Sequence, residues 1–387
     1  MIEPKPADDA RWVGAALALG ERARGRTAPN PNVGCVIVAD GRVVGRGWTQ
    51  AGGRPHAEAM ALMQAGAAAR GATAYVTLEP CAHVSDRGPA CSDLLIASGI
   101  ARVVVAIEDP DRRTAGQGLA RLAAAGVATR VGVRAPEARA SMAGFLTRQR
   151  CARPFVTLKL ATSLDGGIAM ADGRSRWITG AAARSHAHLE RSRHEAILVG
   201  RGTWDIDAPR LDVRLAGLEA RSPMRVVLSG RAAEGGGHGP RSALGAVDGL
   251  AGCGGREMGP RLRGDDGNVR HPRGGEGPAS SLAGEEKRDP RLREDDGVVV
   301  IASPDEIAGL AGVDHLLVEG GAGAAAAFLA AGLVDRLLLY RAPILIGGGR
   351  AALGDIGLGD LSAAHGCWRL DDARQLGVDR LEVYGRA

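Results

Sequence analysis

The sequence predicts two successive α/β domains in one chain. Three observations carry this. Apolar strand-like runs alternate with helix-like runs along most of the length, which implies layered sheets covered by helices. The alternation pauses at Arg148 to Pro154, a short, charged, proline-marked stretch that suits a boundary, giving domains over 1–150 and 151–387. And 387 residues leave room for two domains at ~150 residues each.

Taken in order, Asp8 or Asp9 is placed to cap a helix over residues 10–24 that Gly25 stops. Residues 33–39 and 42–47 read as a hairpin about the Asp40-Gly41 turn. A helix near 57–69, a strand at 74–78, a helix from Cys91 and a strand at 102–107 follow. A helix at 116–125, a strand at 127–131 and a helix at 136–148 complete the first half. In the second half, apolar strands are expected at 155–160, 196–199, 225–228, 298–301 and 315–318, with further strands at 337–340 and 380–384.

Residues 232–297 fit neither half. They hold 17 of the 58 glycines, no aromatic residue, and 10 basic against 12 acidic side chains. Such a segment has too little apolar surface to offset its ordering entropy. The octet Pro260 to Gly267 recurs in altered form as Pro290 to Gly297, but two copies are too few for a stacked repeat. The expectation is a disordered insertion between two strands, against a functional lid as the rival.

Composition narrows the function classes. Hydrophobic residues make up 45% and charged residues 24%, an ordinary globular balance. The net charge is +5, yet the 46 arginines against three lysines point to a background bias towards arginine rather than to a nucleic-acid partner. Aromatic residues at 3% leave little for base stacking. The polar N-terminus lacks a secretory apolar stretch, and the run from Ala322 to Val334 is too short to span a bilayer, so neither membrane nor nucleic acid is expected as a partner. Six cysteines in such a length do not make a disulfide scaffold, and the cytoplasm is the expected compartment. A homo-oligomer stays open.

The chemistry sits in His56-Ala57-Glu58, Glu79-Pro80-Cys81 and Cys91, each at a loop-to-helix or strand-to-loop junction. One imidazole and two thiolates leave a fourth tetrahedral position for water, the arrangement of a catalytic zinc. Both thiols are expected near helix N-termini, where the dipole favours thiolate. Glu58, two residues from a ligand, is placed to carry a proton to a leaving amine, the division of labour of zinc deaminases. Cys35, inside an apolar strand, reads as core, and Cys151, Cys253 and Cys367 fall in no ligand pattern.

Together with Pro29-Asn30-Pro31-Asn32-Val33-Gly34-Cys35-Val36 and Thr77-Leu78-Glu79-Pro80-Cys81-Ala82-His83, these motifs closely resemble the bifunctional deaminase/reductase family of riboflavin biosynthesis, over about residues 10–231 and 298–385. The resemblance implies a cytidine-deaminase-like three-layer domain followed by a dihydrofolate-reductase-like domain, with zinc and NADPH as cofactors. It implies that Asn30 and His83 contact a phosphorylated pyrimidine substrate, although Asn30 between two prolines also fits plain turn chemistry. The stretch Ser85 to Cys91 departs from the family pattern, which leaves a substrate role for Arg87 open.

In the second half, Leu158 to Gly166 looks like the family's opening reductase strand and loop. Lys159 stands out where lysine is so rare, because it marks a place for a point charge. By resemblance Ala161, Trp177, Thr203 and Asp207 line the cofactor site, joined by Ser229 at a strand end and by Gly321, Ala322 and Gly323, where a helix N-terminus suits a pyrophosphate. Ser175, Arg191, Leu211 and Arg214 would hold the substrate, the arginines through its phosphate, and Glu319 would bind ribose hydroxyls. The spacing lacks the Gly-x-Gly-x-x-Gly of a Rossmann fold. A deaminase with a single activity and a non-catalytic C-terminal module is the rival reading, and an editing protein, which would carry Cys-x-x-Cys, a weaker one.

Overall fold

Five strands make the first sheet, and its middle three are buried along nearly their whole length, so both faces must be covered. Strands β1 (Gly34–Ala39) and β2 (Arg42–Trp48) form the hairpin about Asp40 and Gly41, both at positive φ. With β3 (Thr73–Leu78), β4 (Arg102–Ile107) and β5 (Ala128–Val131) the order is β2-β1-β3-β4-β5, antiparallel from β2 to β3 and parallel beyond. The computed structural model describes residues 6–83, 87–230 and 297–387. The expected insertion at 232–297 therefore lies almost wholly outside the described residues.

Helices α1 (Pro6–Gly20) and α5 (Ala135–Ser141) pack together on one side of this sheet, and α2 (Ala57–Ala65), α3 (Cys91–Ala97) and α4 (Gln117–Ala124) on the other. Glycine makes the close approach possible. A Cβ on Gly34 of β1 would collide with the Ala16 carbonyl of α1, and one on Gly47 of β2 with the Ala57 carbonyl of α2. The core between these layers is aliphatic, from Val13 through Val36, Ile37, Val76 and Leu95 to Val104 and Leu122.

Two sequence expectations are corrected here. The first helix starts at Pro6, four residues earlier than expected, and neither aspartate caps it. Asp9 lies inside the helix, fully buried, and accepts two hydrogen bonds from Arg102 (2.8 and 2.8 Å) and one from Arg130 (2.7 Å). Burial pushes this carboxyl up, but the two guanidinium groups outweigh it and leave it below the ordinary carboxylate range. The single helix expected at 136–148 is two, α5 and α6 (Ala143–Cys151), broken at Met142. Just past the break Gly144 lies against the ring of His315, where no side chain would fit.

The second sheet has eight strands. They are β6 (Phe155–Thr162), β8 (Ala196–Gly200), β9 (Met224–Leu228), β10 (Val298–Ile301), β11 (His315–Val318), β12 (Arg336–Arg341), β14 (Trp368–Leu376) and β15 (Asp379–Arg386), in the order β10-β9-β8-β11-β6-β12-β15-β14. The run β9-β8-β11-β6-β12 is parallel, and β15 and β14 close it as an antiparallel hairpin. Short β7 (Gly167–Ala169) and β13 (Arg350–Ala351) pair beside it. Helices α7 (Ala181–Arg191), α8 (Arg201–Asp207) and α9 (Ala322–Ala330) supply its functional edges. No helix among the described residues is long and apolar enough to cross a membrane.

The stretch between the sheets is pinned rather than loose. Arg148 of α6 donates to the carbonyls of Ala308 (3.1 Å) and Leu310 (3.1 Å) and to that of Val313. The Gly144 N–H donates to His315 Nε2 at 3.2 Å.

Candidate active sites

The loop at Gly52 and Gly53, both at positive φ, delivers His56 to the N-cap of α2. Strand β3 ends at Leu78 and runs through Glu79-Pro80 to Cys81, while Cys91 opens α3. The nitrogen of His56 and the two sulfurs lie within 4.8 Å of one another. His56 Nδ1 is 3.3 Å from Cys91 Sγ and 3.7 Å from Cys81 Sγ. One imidazole nitrogen and two sulfurs at such separations fit a zinc ion with its fourth position open.

The electrostatics favour thiolate. Cys81 Sγ accepts the Cys91 backbone N–H at 3.3 Å, at the start of α3. A hydrogen bond from the Cys91 thiol, reinforced by His56 and outweighing burial, brings the Cys81 thiol down to about 4. Cys91, which supplies that bond and is itself buried beside Glu58, is pushed well up. Glu58, one residue into α2, is buried, and burial pushes its carboxyl up to about 7, with His56 pulling the other way and Cys81 adding to the rise. Cys35 lies buried in β1 within the core.

Neighbouring residues hold this constellation still. The Asn30 amide nitrogen donates to the Gly53 carbonyl at 2.8 Å and lies 3.2 Å from His56 Nε2, the ring nitrogen turned away from the sulfurs. The Asn30 amide NH2 is itself a donor and packs beside that nitrogen without accepting from it. His83 Nδ1 is 3.4 Å from Thr114 Oγ1, and Arg87 donates to the Gly52 carbonyl at 3.0 Å.

Glu79 is the residue that sequence reasoning quoted without giving it a task. Its buried carboxylate accepts the backbone N–H groups of Asp109 (3.2 Å), Gly116 (2.9 Å), Gly118 (2.9 Å) and Leu119 (3.2 Å). It thereby ties the loop bearing Cys81 to the N-terminus of α4. A Cβ on Gly118 would strike the Pro80 carbonyl.

The second half opens a cleft of about 1060 Å³ at the strand ends. Lys159, Ala161, Ser175, Trp177, Arg191, Thr203, Asp207, Arg214, Ser229, Glu319, Gly321, Ala322 and Gly323 all line it. Leu211 faces an adjoining recess of about 410 Å³, shared with Arg214 and Asp207. Residues expected from separate motifs across 165 positions of chain thus meet in one place. Gly321 caps α9 and offers no side chain to its free N–H groups, and a Cβ on Gly323 would meet nothing within 4 Å. That open, uncapped helix start fits the pyrophosphate of a dinucleotide.

At the polar end, Glu319 accepts a two-pronged hydrogen bond from Arg191 (Nε 2.7 Å, Nη2 2.9 Å), and Lys159 Nζ stands 3.7 Å away. Burial raises the Glu319 carboxyl, but Lys159 and Arg191 outweigh it and hold it at about 2. The pair expected to grip phosphate and sugar separately here hold each other. On the outer rim, the Arg184 guanidinium lies 4.6 Å from the centre of the exposed Trp177 ring.

Comparison with known proteins agrees with this geometry. Residues 6–107 match the family model of the cytidine and deoxycytidylate deaminase zinc-binding region, and residues 154–234 and 283–379 match that of the RibD C-terminal domain. The riboflavin biosynthesis protein RibD of Aquifex aeolicus is 36% identical over 357 residues, 90% of this chain and 91% of that protein. The chain belongs to the RibD family. The Escherichia coli RibD is 47% identical, over 57% of this chain and 63% of its own length, less than two thirds of it. Among solved structures, Acinetobacter baumannii RibD superposes with a TM-score of 0.74 at 32% identity, covering 99% of this chain and all 100% of that one. A Thermotoga maritima diaminohydroxyphosphoribosylaminopyrimidine deaminase/5-amino-6-(5-phosphoribosylamino)uracil reductase gives the same TM-score at 28% identity, with 99% of each chain covered. As a RibD family member the chain is a two-activity enzyme, a zinc-binding deaminase domain followed by a reductase domain, and the match to the second domain favours this over a lone deaminase.

Proposed function

We propose that residues 1–150 hydrolyse the ring 2-amino group of 2,5-diamino-6-ribosylamino-4(3H)-pyrimidinone 5′-phosphate, and that residues 151–387 then reduce the ribosyl chain to ribityl with NADPH. The observation that carries the first half is the convergence of His56, Cys81 and Cys91 within 4.8 Å, beside the buried Glu58. The chemistry a zinc ion supplies at such a donor set is acidification of a water molecule, towards a pKa of ~7. Glu58, buried and with its carboxyl raised to about 7, would be the group that carries a proton between the attacking water and the departing amine. Asn30, packed beside the imidazole, and His83 would contact the pyrimidine.

For the second half, bound NADPH would supply hydride for the sugar C1′ of an opened, imine-like form, with a proton from solvent completing the amine. The uncapped start of α9, with Thr203, Asp207 and Ser229, would hold the cofactor against Ala161 and Trp177. The substrate phosphate would draw Arg191 from Glu319 and share it with Arg214, freeing the Glu319 carboxylate to accept sugar hydroxyls. Lys159 keeps a positive charge beside that carboxylate, and Ser175 and Leu211 border the same end. Small phosphorylated pyrimidines are the partners in this reading, and the 3% aromatic content supports them over nucleic acid.

Product analysis tests the whole. Incubated with the diaminopyrimidine alone, the protein is expected to release ammonia and stop at the ribosylamino product; with NADPH added it continues to the ribityl product. Ammonia release with no NADPH-dependent second product would refute the reductase half.

A further inference from the structure

Helix α7 turns two polar side chains, one turn apart, towards the stretch that follows α8. His188 and Arg191 both reach the Asp212 carbonyl, with Nδ1 at 3.1 Å and Nη1 at 3.0 Å. The Arg214 N–H points at the same His188 Nδ1, 3.3 Å away. Between them the Val213 N–H donates to Ser222 Oγ at 3.0 Å. His188 Nδ1 makes one of these two bonds, donating to the Asp212 carbonyl or accepting the Arg214 N–H according to its tautomer, and in either case side chains from outside hold the main chain of this segment at two or more of its three residues.

The backbone here needs holding. Leu211 has φ +57°, a left-handed conformation that a bulky side chain keeps only where its surroundings over-determine it. Leu211 and Val213 are buried, whereas Arg214 is exposed and lines the cleft. The Arg214 side chain stands with Nε 3.3 Å from the Asp212 carboxylate, so its direction is set within the segment whose main chain His188 touches. Neither half of the chemistry described above uses His188, although its ring lines the same cleft.

We propose that His188 is a positioning residue of the reductase: by fixing the Asp212–Arg214 main chain through Nδ1 it aims Arg214, beside Arg191, at the substrate phosphate, and so sets the preference for phosphorylated over dephosphorylated substrate. This rests on the reading that Arg191 and Arg214 grip that phosphate. An arginine presented on a pinned segment binds without first being ordered, which shows in affinity rather than in turnover.

The test measures NADPH oxidation with the deaminated phosphoribosyl intermediate and with its dephosphorylated counterpart. H188A is expected to raise KM for the phosphorylated substrate by about tenfold, with kcat within about threefold, and to lower the phosphorylated-to-dephosphorylated ratio of kcat/KM to match. Deamination by the same protein stays at the wild-type rate and reports that the chain is folded. H188N, whose amide sits where Nδ1 does and can donate or accept, restores the ratio, and H188Q, which reaches past that point, does not. R214M loses the same preference, and adding H188A to it has no further effect. Should H188A keep the preference while R214M loses it, His188 plays no such part and the phosphate reading stands. If R214M itself keeps the preference, that reading falls and the proposal with it. Where H188A fails to fold, equal preference in H188N and H188Q overturns the proposal.

Discussion

At the scale of single residues, the deaminase half separates ligands from a proton carrier, and the two should fail differently. Glu58 is not one of the three metal-ligating side chains, so Glu58→Gln is expected to retain one zinc per chain while deamination drops by ~10²–10⁴, because an amide cannot shuttle protons. Cys81→Ser is expected to lose the zinc itself. Metal analysis alongside ammonia release checks both; a Glu58→Gln protein within a few-fold of wild-type activity would transfer the proton role to another group. Glu79 has a third signature. Removing its carboxylate in Glu79→Ala leaves four buried or half-buried N–H groups without their acceptor, at a cost of about 1–3 kcal/mol for each one left fully unsatisfied. The expected outcome is a lower melting temperature together with weakened zinc retention, since the Cys81 loop loses its anchor.

At the scale of elements, what the sequence disclosed and what it hid have separate causes. Strands β3, β4 and β11 were legible because they are apolar and buried along their length, and the zinc motifs because ligand types and spacing are fixed by chemistry. Strand β14 was missed because it is an edge strand: Trp368–Leu376 carries Arg369, Asp371, Asp372 and Arg374, and its stability comes from pairing with β15 rather than from an apolar face. The Arg191–Glu319 pair was hidden for another reason, since residues 128 positions apart meet only once α7 and β11 are packed. The same packing buries His194 between α7 and β6, where Nδ1 reaches the Glu190 carbonyl (2.6 Å) and Nε2 the Thr157 hydroxyl (3.1 Å). Burial, reinforced by Arg24, lowers this imidazole from 6.5 to about 3. Between those values the unfolded chain binds a proton that the folded chain refuses, so His194's contribution is complete above pH 6.5 and is lost as pH falls towards 3. Asp314 opposes it: burial, with Glu195 close by, raises that carboxyl from 3.8 to about 6, which favours the folded state at lower pH. Comparing wild type with His194→Gln cancels the Asp314 contribution. The difference in unfolding free energy between them is expected to shrink by about 1.4 kcal/mol per pH unit between about pH 6 and pH 4. A difference that stays flat across that range would show that His194 is not held neutral.

At the scale of the whole molecule, one stretch of chain falls outside the family match of the second domain. The two matched parts of the RibD C-terminal domain leave residues 235–282 between them unmatched. The chain leaves the second sheet at the end of β9 and re-enters it on β10, the neighbouring strand, and the Ser229 N–H donates to the Ile301 carbonyl at 2.9 Å. That bond joins the C-terminal ends of both strands, so β9 and β10 run the same way and the connection must cross back along the length of a strand to reach Val298. Loop-closure entropy grows with the logarithm of length, each doubling costing ~0.6 kcal/mol, so a long connection here is tolerable and a shorter one slightly better as long as it still spans a strand. Among the described residues, His56, Cys81, Cys91 and the residues lining the cleft suffice to assemble both sites. Replacing that segment with a short Gly/Ser linker is expected to leave ammonia release and NADPH oxidation within about twofold of wild type and to raise the melting temperature slightly. The measurement that decides is KM for NADPH in the shortened protein. A rise of about tenfold, equivalent to ~1.4 kcal/mol of lost binding, with deamination untouched, would mean that the segment contributes to the cofactor site and that the described cleft is incomplete without it.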